Sequence, residues 1–217
     1  MLWGQALDIE NCTVAYNLTL GTRSSAGITV HTGTVNLKNS IVYGNVLGKI
    51  GNLAAGADIE VKANGTLNMS YTLVTGLESN YVNAVEGATT NIGVGVICVD
   101  PLLATTTNDF QSLFSPNPNA GNNPTYWYLT QGKRAACAAL DVHPRTHTGY
   151  MLNGVLIKDP EKVESPTIDA GDKASDYSRE PVIPGVGGNG HRVNLGAYGN
   201  TPEAALTKIR GFHLTFR

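Results

Sequence analysis

A short phrase of alternating polar and apolar residues is written three times in the first third of the chain. It reads LDIENCTVAYN at residues 7–17, VNLKNSIVYGN at residues 35–45 and LNMSYTLVTGL at residues 67–77. In each copy, apolar residues stand two positions apart with polar residues between them. That alternation is typical of a half-buried β-strand. The fold must therefore place the same strand three times, at a spacing of about 30 residues.

The three copies align in columns that predict which side chains point inward. The apolar columns contain Leu7, Val35 and Leu67, followed by Ile9, Leu37 and Met69. The polar columns contain Asp8, Asn36 and Asn68, followed by Glu10, Lys38 and Ser70. Because successive side chains of a strand point to opposite faces, we expect the apolar columns in the core and the polar columns on the outer surface.

A second family of strands lies between these phrases. Its members are GITVHTG at residues 27–33, DIEVKANG at residues 58–65 and, more weakly, NIGVGVI at residues 91–97. Each repeat therefore contains at least two short strands, joined by turns rich in glycine and asparagine.

Strands repeated at this period, without helices, predict a parallel β-solenoid. One coil alone would leave its apolar side chains in water, and a second coil about 4.8 Å away covers them. We expect Asn11 and Asn39 to form a side-chain amide ladder, and Asn17 and Asn45 to adopt a left-handed turn conformation. The alternative is an antiparallel β-sandwich, which has no reason to keep residue types at a fixed long spacing.

Composition argues against two classes of partner. Charged residues make up 15% of the 217 residues and the formal net charge is −2, so the chain lacks the basic face that nucleic-acid binding requires. No apolar run reaches the roughly 20 residues of a membrane-spanning helix. The cysteines Cys12, Cys98 and Cys137 are too widely spaced for a zinc or redox motif, and we expect them to be small buried side chains.

Three phrases in the second half of the chain carry a resemblance to a known family. They are VDPLL at residues 99–103, SPTIDAGDKASDYSREP at residues 165–181 and HRVNLGAYGNT at residues 191–201. With the repeats, they resemble the closing part of large bacterial surface and secreted proteins of the pectate-lyase-like superfamily. The resemblance implies a right-handed parallel β-helix and an extracellular or cell-surface location. It implies no single activity, because that superfamily includes polysaccharide lyases, glycoside hydrolases and adhesins.

The chain departs from this family in two ways. It has only about three coils, and residues 1–7 (MLWGQAL) lack the features of a signal peptide. We therefore expect the C-terminal part of a longer exported protein, whose remaining N-terminal coils would pair with residues 2–7, or a truncated gene product. A chain that stays in the cytoplasm is the alternative.

The predicted organisation has three parts. They are parallel β-helix coils at residues 1–103, an insert packing on or capping the solenoid at residues 104–164, and an irregular closing segment at residues 165–217. Within the insert, TYWYLT at residues 125–130 predicts an aromatic strand. GKRAACAALDVH at residues 132–143 predicts a short helix or a continuing coil, and the residues that follow predict a hairpin.

The sequence offers few groups for catalysis. Polysaccharide lyases need several carboxylates on one outward face with a basic residue nearby, and the polar columns do not supply them. Asp58 and Glu60 indicate either a weak cation site or, the favoured interpretation, a solvated strand face. His143 follows Asp141 in DVHPRTH, with Arg145 and His147 beyond it. This pattern fits acid–base or metal chemistry, but an exposed polar loop is the favoured interpretation.

The best acidic cluster lies in the closing segment and contains Asp169, Asp172 and Asp176. One interpretation is a Ca²⁺ or sugar site. The favoured interpretation is a tight turn in which Gly171 has positive φ and the aspartates accept hydrogen bonds from backbone N–H groups.

Four aromatic residues, Tyr126, Trp127, Tyr128 and Tyr150, are the candidate glycan-binding residues. Flat rings with polar rims match the faces of sugars, but the same rings could fix the insert to the solenoid.

The expected function is that of a non-catalytic β-helix scaffold segment of a bacterial extracellular or cell-surface protein, without a cofactor. Its expected partner is a polysaccharide or cell-surface glycan. One alternative is a fragment of a polysaccharide lyase or glycoside hydrolase whose active site lies on other coils. The other is an adhesin-type interaction protein.

Overall fold

The computed structural model describes residues 6–20, 25–49, 52–55, 57–75, 82–116, 127–130 and 132–208. Within these ranges the chain is nearly all β. In chain order, the strands are β1 (Ala6–Glu10), β2 (Thr13–Ala15), β3 (Leu18–Leu20), β4 (Ser25–Val30), β5 (Gly33–Lys38), β6 (Ile41–Tyr43), β7 (Val46–Lys49), β8 (Asn52–Ala55), β9 (Ala57–Val61), β10 (Gly65–Ser70), β11 (Leu73–Val74), β12 (Val82–Ala84), β13 (Thr89–Ile92), β14 (Phe114–Pro116), β15 (Trp127–Leu129), β16 (Tyr150–Leu152), β17 (Val155–Ile157), β18 (Gly187–Gly188) and β19 (Thr207–Lys208). The helices are α1 (Thr107–Gln111) and α2 (Arg134–Ala138). In this part of the chain no helix has the length and apolar character needed to span a membrane.

The repeated phrase begins with the strands of one parallel sheet, in the order β1-β5-β10-β13. Ile9 pairs with Leu37, and Leu37 pairs with Met69, so the predicted apolar column is confirmed in register. The column of Leu7, Val35 and Leu67 is confirmed in the same way. Apolar residues at equivalent positions of the repeat therefore lie side by side on three neighbouring strands, β1, β5 and β10.

Further parallel sheets take one strand from each successive repeat. Their orders are β2-β6-β11 and β4-β9-β12, and β3 pairs in parallel with β7. A hairpin adds β8 to β7 in the antiparallel direction. The strands of the repeat pair in parallel, which excludes the antiparallel sandwich for this region.

One member of the second strand family was predicted wrongly. Residues 89–92 form β13, which continues the first sheet by pairing with β10, and the partner of β9 is β12. The spacing between equivalent residues falls from 32 at Asn36 and Asn68 to 23 at Asn68 and Asn91. A search at a period of about 30 residues therefore compares the wrong strands.

The turn that follows the first sheet explains the repeated phrase. Asn11, Asn39 and Tyr71 occupy equivalent positions, with φ of 51°, 48° and 46°. The next residue in each copy is Cys12, Ser40 or Thr72, and its side chain donates to the carbonyl oxygen two residues earlier. The left-handed residue bends the chain from one sheet into the next, and the thiol or hydroxyl satisfies a carbonyl at the strand end.

The prediction that Asn11 and Asn39 form the ladder, with Asn17 and Asn45 in the left-handed turn, is wrong. Instead, Asn17 Nδ2 donates to Asn45 Oδ1 (2.8 Å). Asn45 Nδ2 in turn donates to Asp58 Oδ1 (2.6 Å). This ladder of side-chain amides therefore ends on a buried carboxylate. Asparagine tolerates the left-handed conformation and also forms amide ladders, so residue type alone does not assign the two turns.

The described residues form two apolar clusters. One lies between the three parallel sheets β1-β5-β10-β13, β2-β6-β11 and β4-β9-β12, which together are called the stack below. It contains Val30, Leu37, Val42, Ile59, Val61, Leu67, Met69 and Val74. The other contains Tyr16, Ile41, Val46, Leu73, Leu103, Phe110, Leu113 and Leu195. Adjacent residues of β6, Ile41 and Val42, point into different clusters, so the sheet β2-β6-β11 separates the stack interior from the segments that cover it.

The segments after residue 98 are less regular. The predicted aromatic strand, short helix and hairpin correspond to β15, α2 and the pair β16–β17. The two closing phrases run side by side, since Leu195 N donates to Thr167 O and Gly171 N donates to Val193 O (both 2.9 Å). Gly196 N donates to Asn39 O (2.8 Å), which fixes this segment to the stack. The cysteines are free and partly buried, less enclosed than predicted.

Candidate functional site

The outer face of the sheet β1-β5-β10-β13 carries two regular polar columns. One contains Thr34, Thr66 and Thr89, which pair in register. The other contains Asp8, Asn36, Asn68 and Asn91, also in register. The two columns are two residues apart along each strand, so both point to the outer face. The result is a regular array of hydroxyl, amide and carboxylate groups with a spacing of about 4.8 Å between strands.

Hydrogen bonds join the second column into a continuous ladder. Asn36 Nδ2 donates to Asp8 Oδ1 (2.6 Å), Asn68 Nδ2 to Asn36 Oδ1 (2.6 Å) and Asn91 Nδ2 to Asn68 Oδ1 (2.7 Å). An ionised Asp8 can only accept, so it fixes the direction in which every amide of the ladder donates. Each amide uses one N–H in the ladder and retains a second that can bind a ligand.

A shallow groove of about 560 Å³ crosses the C-terminal half of these strands. The residues that line it come from three neighbouring strands and are Asn36, Leu37, Lys38, Asn68, Met69, Ser70, Thr90, Asn91, Ile92 and Gly93. The groove runs across the strands, along the direction of the ladder. An elongated molecule lying in it would meet the same amide group at each strand.

An ion-pair cluster lies at the first of these strands. Lys38 Nζ is 2.9 Å from Asp172 Oδ2 and 3.6 Å from Glu10 Oε1. The hydrogen bond to Asp172 raises the pKa of Lys38. The backbone N–H of Ala174 and then Lys38 lower the pKa of Asp172. Lys38 and Asp172 are therefore charged at neutral pH and form an ion pair, and Glu10 places a second carboxylate beside Lys38.

The three aspartates predicted as a cation or turn site do not share one partner. Asp172 pairs with Lys38, Asp176 accepts from Ser178 N (2.9 Å), and Asp169 accepts from Thr207 Oγ1 (2.5 Å). Within the described ranges, no group of three His, Cys, Asp or Glu side chains is placed to hold a metal ion. The carboxylates therefore do not form the oxygen cage that Ca²⁺ requires.

The turn itself differs in detail from the prediction. Asp169, and not Gly171, has positive φ (52°). Glycine is needed at residue 171 for a different reason, because a Cβ there would lie 2.7 Å from the carbonyl oxygen of Val193. Asp172 Oδ1 accepts from Ala174 N (3.0 Å), as expected for an aspartate that stabilises a turn.

The predicted aromatic residues fall into two groups. Tyr126 lies outside the described residues, as do the side chains of Trp127 and Tyr128, whose backbone belongs to β15. Tyr150 is 6% exposed, and its hydroxyl donates to Asp141 Oδ2 (3.0 Å). Glycan binding by these residues stays a prediction, and Tyr150 has little free surface for it.

His143 is not part of an exposed loop, so that interpretation is wrong for this residue. Its side chain is 3% exposed and lies between the rings of Tyr150 and Tyr198, with centroid distances of 4.2 and 3.5 Å. Its Nδ1 is 2.6 Å from Asp141 Oδ1. Burial alone would raise the pKa of Asp141, but hydrogen bonds from His143 and Tyr150 outweigh it and lower the value. His143 is therefore enclosed by aromatic rings, whereas the side chain of Asp141 is partly exposed.

The interpretation of Asp58 and Glu60 as a solvated strand face is also wrong, because both residues are buried. Asp58 is 1% exposed; burial raises its pKa, although Thr75 and Asn45 both donate to the carboxylate. Glu60 Oε1 is 2.6 Å from Lys62 Nζ. Alternation shows that two residues share a face, but it does not show what covers that face.

The ladder face was not identified as a site from the sequence, although a signal was present. The triplet Thr-X-Asn occurs at residues 34–36, 66–68 and 89–91. The uneven spacing of its third copy hides this pattern from a search at a fixed period.

Comparison with protein-family models, curated proteins and solved structures finds no match for the chain.

Proposed function

We propose that this chain is a non-catalytic segment of a right-handed parallel β-helix of the pectate-lyase-like type, and that it binds an extended polysaccharide along the ladder groove. It would act outside the cell or on the cell surface, as part of a stiff scaffold.

The arrangement of strands supports the solenoid. Each successive repeat adds one strand to several parallel sheets, and equivalent residues of neighbouring repeats lie in register. This is the arrangement that stacked coils require. The closing phrases that resemble the family also bond to each other and to the turn at Asn39.

The observation that carries the binding proposal is the amide ladder that crosses the groove. A polysaccharide presents hydroxyl groups at regular intervals, and the ladder presents donors and acceptors at regular intervals along one line. Because Lys38 is already paired with two carboxylates, Glu10 and Asp172, it offers no unpaired cation to a ligand, and hydrogen bonds from the ladder would select the ligand. Because the ladder offers the same contact at each strand, it suits a polysaccharide chain, which can use several of these contacts at once, better than a single small molecule.

The state of Lys38 favours binding over catalysis. A lyase needs a neutral base beside its substrate, and Lys38 is the basic residue that lines the groove. The hydrogen bond with Asp172 raises the pKa of Lys38, which favours the protonated amine over the neutral base that a lyase needs. The alternatives make different predictions. A fragment of a lyase or hydrolase belongs to an enzyme that releases a sugar product, whereas an adhesin binds a partner and releases none.

Affinity electrophoresis in gels that contain galactomannan, arabinoxylan, pectin or alginate tests the proposal. We expect at least one polymer to retard the protein, and Asn68→Ala to weaken that binding about tenfold, because it interrupts the ladder at its middle. The matched control is Asn83→Ala on β12, in a different sheet, which should bind like the parent. Equal retardation of both variants, or no retardation by any polymer, would contradict the proposal.

Incubation with pectin, alginate and chondroitin sulfate, followed by ultraviolet detection of unsaturated sugars, separates binding from lyase activity. We expect no such product. Its appearance, and its loss in Lys38→Ala, would establish the lyase alternative.

A further inference from the structure

A second cavity lies on another side of the stack, away from the ladder groove. Its volume is about 290 Å³, close to the lower end of the range of about 300–1,000 Å³ for small-molecule sites. It is lined by Tyr16, by Tyr43 and by a wall made of the loop that leads into α1, and the Tyr16 hydroxyl donates to the carbonyl oxygen of Thr105 in that loop. Its size suits a single small ring rather than a chain.

The loop wall is fixed by a network of backbone contacts. Leu102 has φ of 50°, a conformation that costs a residue other than glycine on the order of 1 kcal/mol or more. Asp100 Oδ1 accepts from Leu102 N, and Leu102 O accepts from Arg145 N (both 2.8 Å). Ala104 N donates to His143 O (2.9 Å). The structure therefore holds a strained leucine at the cavity wall, and such strain is concentrated at binding sites.

Charge excludes an anion as the natural ligand. Arg145 lines the cavity, but its guanidinium pairs with Asp159 and, at 2.6 Å, with Glu161. Asp100 contributes a further carboxylate to the lining. An anionic ligand would face this carboxylate without an unpaired cation to balance it.

The remaining polar groups are those that recognise hydroxyls. Asp100 and Thr107 already hydrogen-bond to the Tyr43 hydroxyl, and Asp100 Oδ1 also accepts from Leu102 N. The carboxylate of Asp100 has further lone pairs that can accept, and Asn108 can both donate and accept. The ring of Tyr43 supplies an apolar face beside them. Burial raises the pKa of Tyr43, and the hydrogen bond with Thr107 opposes this shift, so the ring face rather than the hydroxyl is the part of Tyr43 offered to a ligand.

We propose that this cavity binds one neutral sugar ring, with its hydroxyls on Asp100 and Asn108 and one apolar face against Tyr43. The site is independent of the ladder groove, because the two share no lining residue. The molecule would then have one surface for a polymer and one pocket for a terminal or single sugar.

Nuclear magnetic resonance titration of the ¹⁵N-labelled protein tests this site. The probes are the methyl α- and β-glycosides of glucose, galactose and mannose. At least one should shift the backbone amide signals of Thr106, Thr107 and Asn108, with a dissociation constant on the order of 1 mM. No shift at several times that concentration for any of the six probes would overturn the proposal.

Two variants locate the binding. Asn108→Ala should weaken the titrated affinity about tenfold, and because Asn108 is exposed, the fold should be retained. Asp100→Asn keeps an oxygen for the Leu102 N–H and should weaken binding to a similar extent. Asn68→Ala, which interrupts the ladder, should leave the titration unchanged. Unchanged affinity in both Asn108→Ala and Asp100→Asn would contradict the site, whatever the result for polysaccharide binding.

Discussion

The stack, which lies within the described residues of 6–97, and the flank, formed by those within 98–208, are stabilised in different ways. In the stack, a residue meets its own counterpart in the next repeat, as Leu37 does with Ile9 and Met69. In the flank, contacts occur once, such as that between Gly196 N and Asn39 O. The comparison indicates that stability in the stack is spread over many similar contacts. In the flank it depends on a few close approaches and buried polar groups.

Buried carboxylates show the same difference. In the stack, both oxygens of Asp58 accept hydrogen bonds, from Asn45 and from Thr75. In the flank, Glu180 Oε1 accepts from Asn194 N and Asn200 N, while Glu180 Oε2 has no partner among the described residues. Burial raises the pKa of Glu180 to about 7. We therefore expect the flank to be the region whose stability responds most to pH.

Truncation of the central core column should have the largest effect. Leu37 is 1% exposed, and Leu37→Ala would leave a cavity between two neighbouring repeats. We expect a loss of about 2–5 kcal/mol in the free energy of unfolding, measured by urea denaturation. Val155→Ala, at a residue that is 59% exposed, is the control and should change it little. A loss below about 1 kcal/mol for Leu37→Ala would show that the repeats do not share one core.

The contact between the flank and the stack should be nearly as sensitive. Gly196 has φ of 90°, and a Cβ there would lie 2.6 Å from Thr13 Oγ1 and 2.8 Å from Ile41 Cδ1. Gly196→Ala should therefore cost about 2–4 kcal/mol, from backbone strain and overpacking together.

The matched control for that variant is Gly154→Ala, at a glycine with φ of 82° and no atom within 4 Å of the added Cβ. It carries the backbone strain alone and should cost about 1–2 kcal/mol by thermal unfolding. Equal losses for the two variants would mean that the closing segment does not pack against the stack as described.

The pH dependence should come next in size. The folded chain retains a proton on Glu180 up to about pH 7, while the unfolded chain loses it near the ordinary value of 4.5. The contribution of Glu180 to stability is therefore complete below that value and is lost as the pH rises through 7. Between about pH 5 and 8, we expect a decrease on the order of 1–3 kcal/mol.

Glu180→Gln should flatten this dependence, since the amide oxygen still accepts from Asn194 N and Asn200 N but carries no charge. The control Glu86→Gln, at an exposed residue, should retain the slope. Asp58 and Asp169, whose pKa values burial also raises, act in the same direction and are unchanged by this substitution. Aspartates with a lowered pKa, such as Asp141, act below the ordinary value of 3.8. Urea denaturation at several pH values measures the slope, and a slope unchanged in Glu180→Gln would refute the assignment.

The outer ladder should contribute least. Asn36→Ala removes the donor to Asp8 and the acceptor for Asn68, and we expect a loss of about 0.5–1.5 kcal/mol because the groups are partly solvated. Chemical denaturation of Asn36→Ala and Asn83→Ala in parallel measures the difference. A loss above about 3 kcal/mol would mean that the ladder is part of the core rather than a surface array.

Repetition made much of the stack predictable. The columns headed by Leu7 and Ile9 could be assigned from alternation, and the register of both is confirmed. Leu7 itself is 41% exposed, so its predicted place in the core is wrong. Where the repeat changes length, the prediction failed, as at β13. It also failed where one phrase contains two asparagines, because either could form the ladder or the left-handed turn. Asn11 forms the turn and Asn17 the ladder.

The flank and the sites were less accessible to sequence reasoning. Burial of His143 depends on Tyr198, which lies 55 residues later in the chain and forms no pattern with it. The cavity beside Tyr43 is built from four separated parts of the chain, at Tyr16, at Tyr43, at residues 100–108 and at Arg145. Non-repeated contacts of this kind have no sequence period, so they become visible only in three dimensions.

The central claim is that equivalent residues of successive repeats lie side by side in parallel, which builds both the core column and the ladder groove. Nuclear Overhauser spectroscopy of the labelled protein tests it most directly. The account predicts backbone contacts of Leu37 with both Ile9 and Met69 in the pattern of parallel strands, and contacts between the side-chain amides of Asn36 and Asn68. Contacts in an antiparallel pattern, or none among these residues, would contradict it.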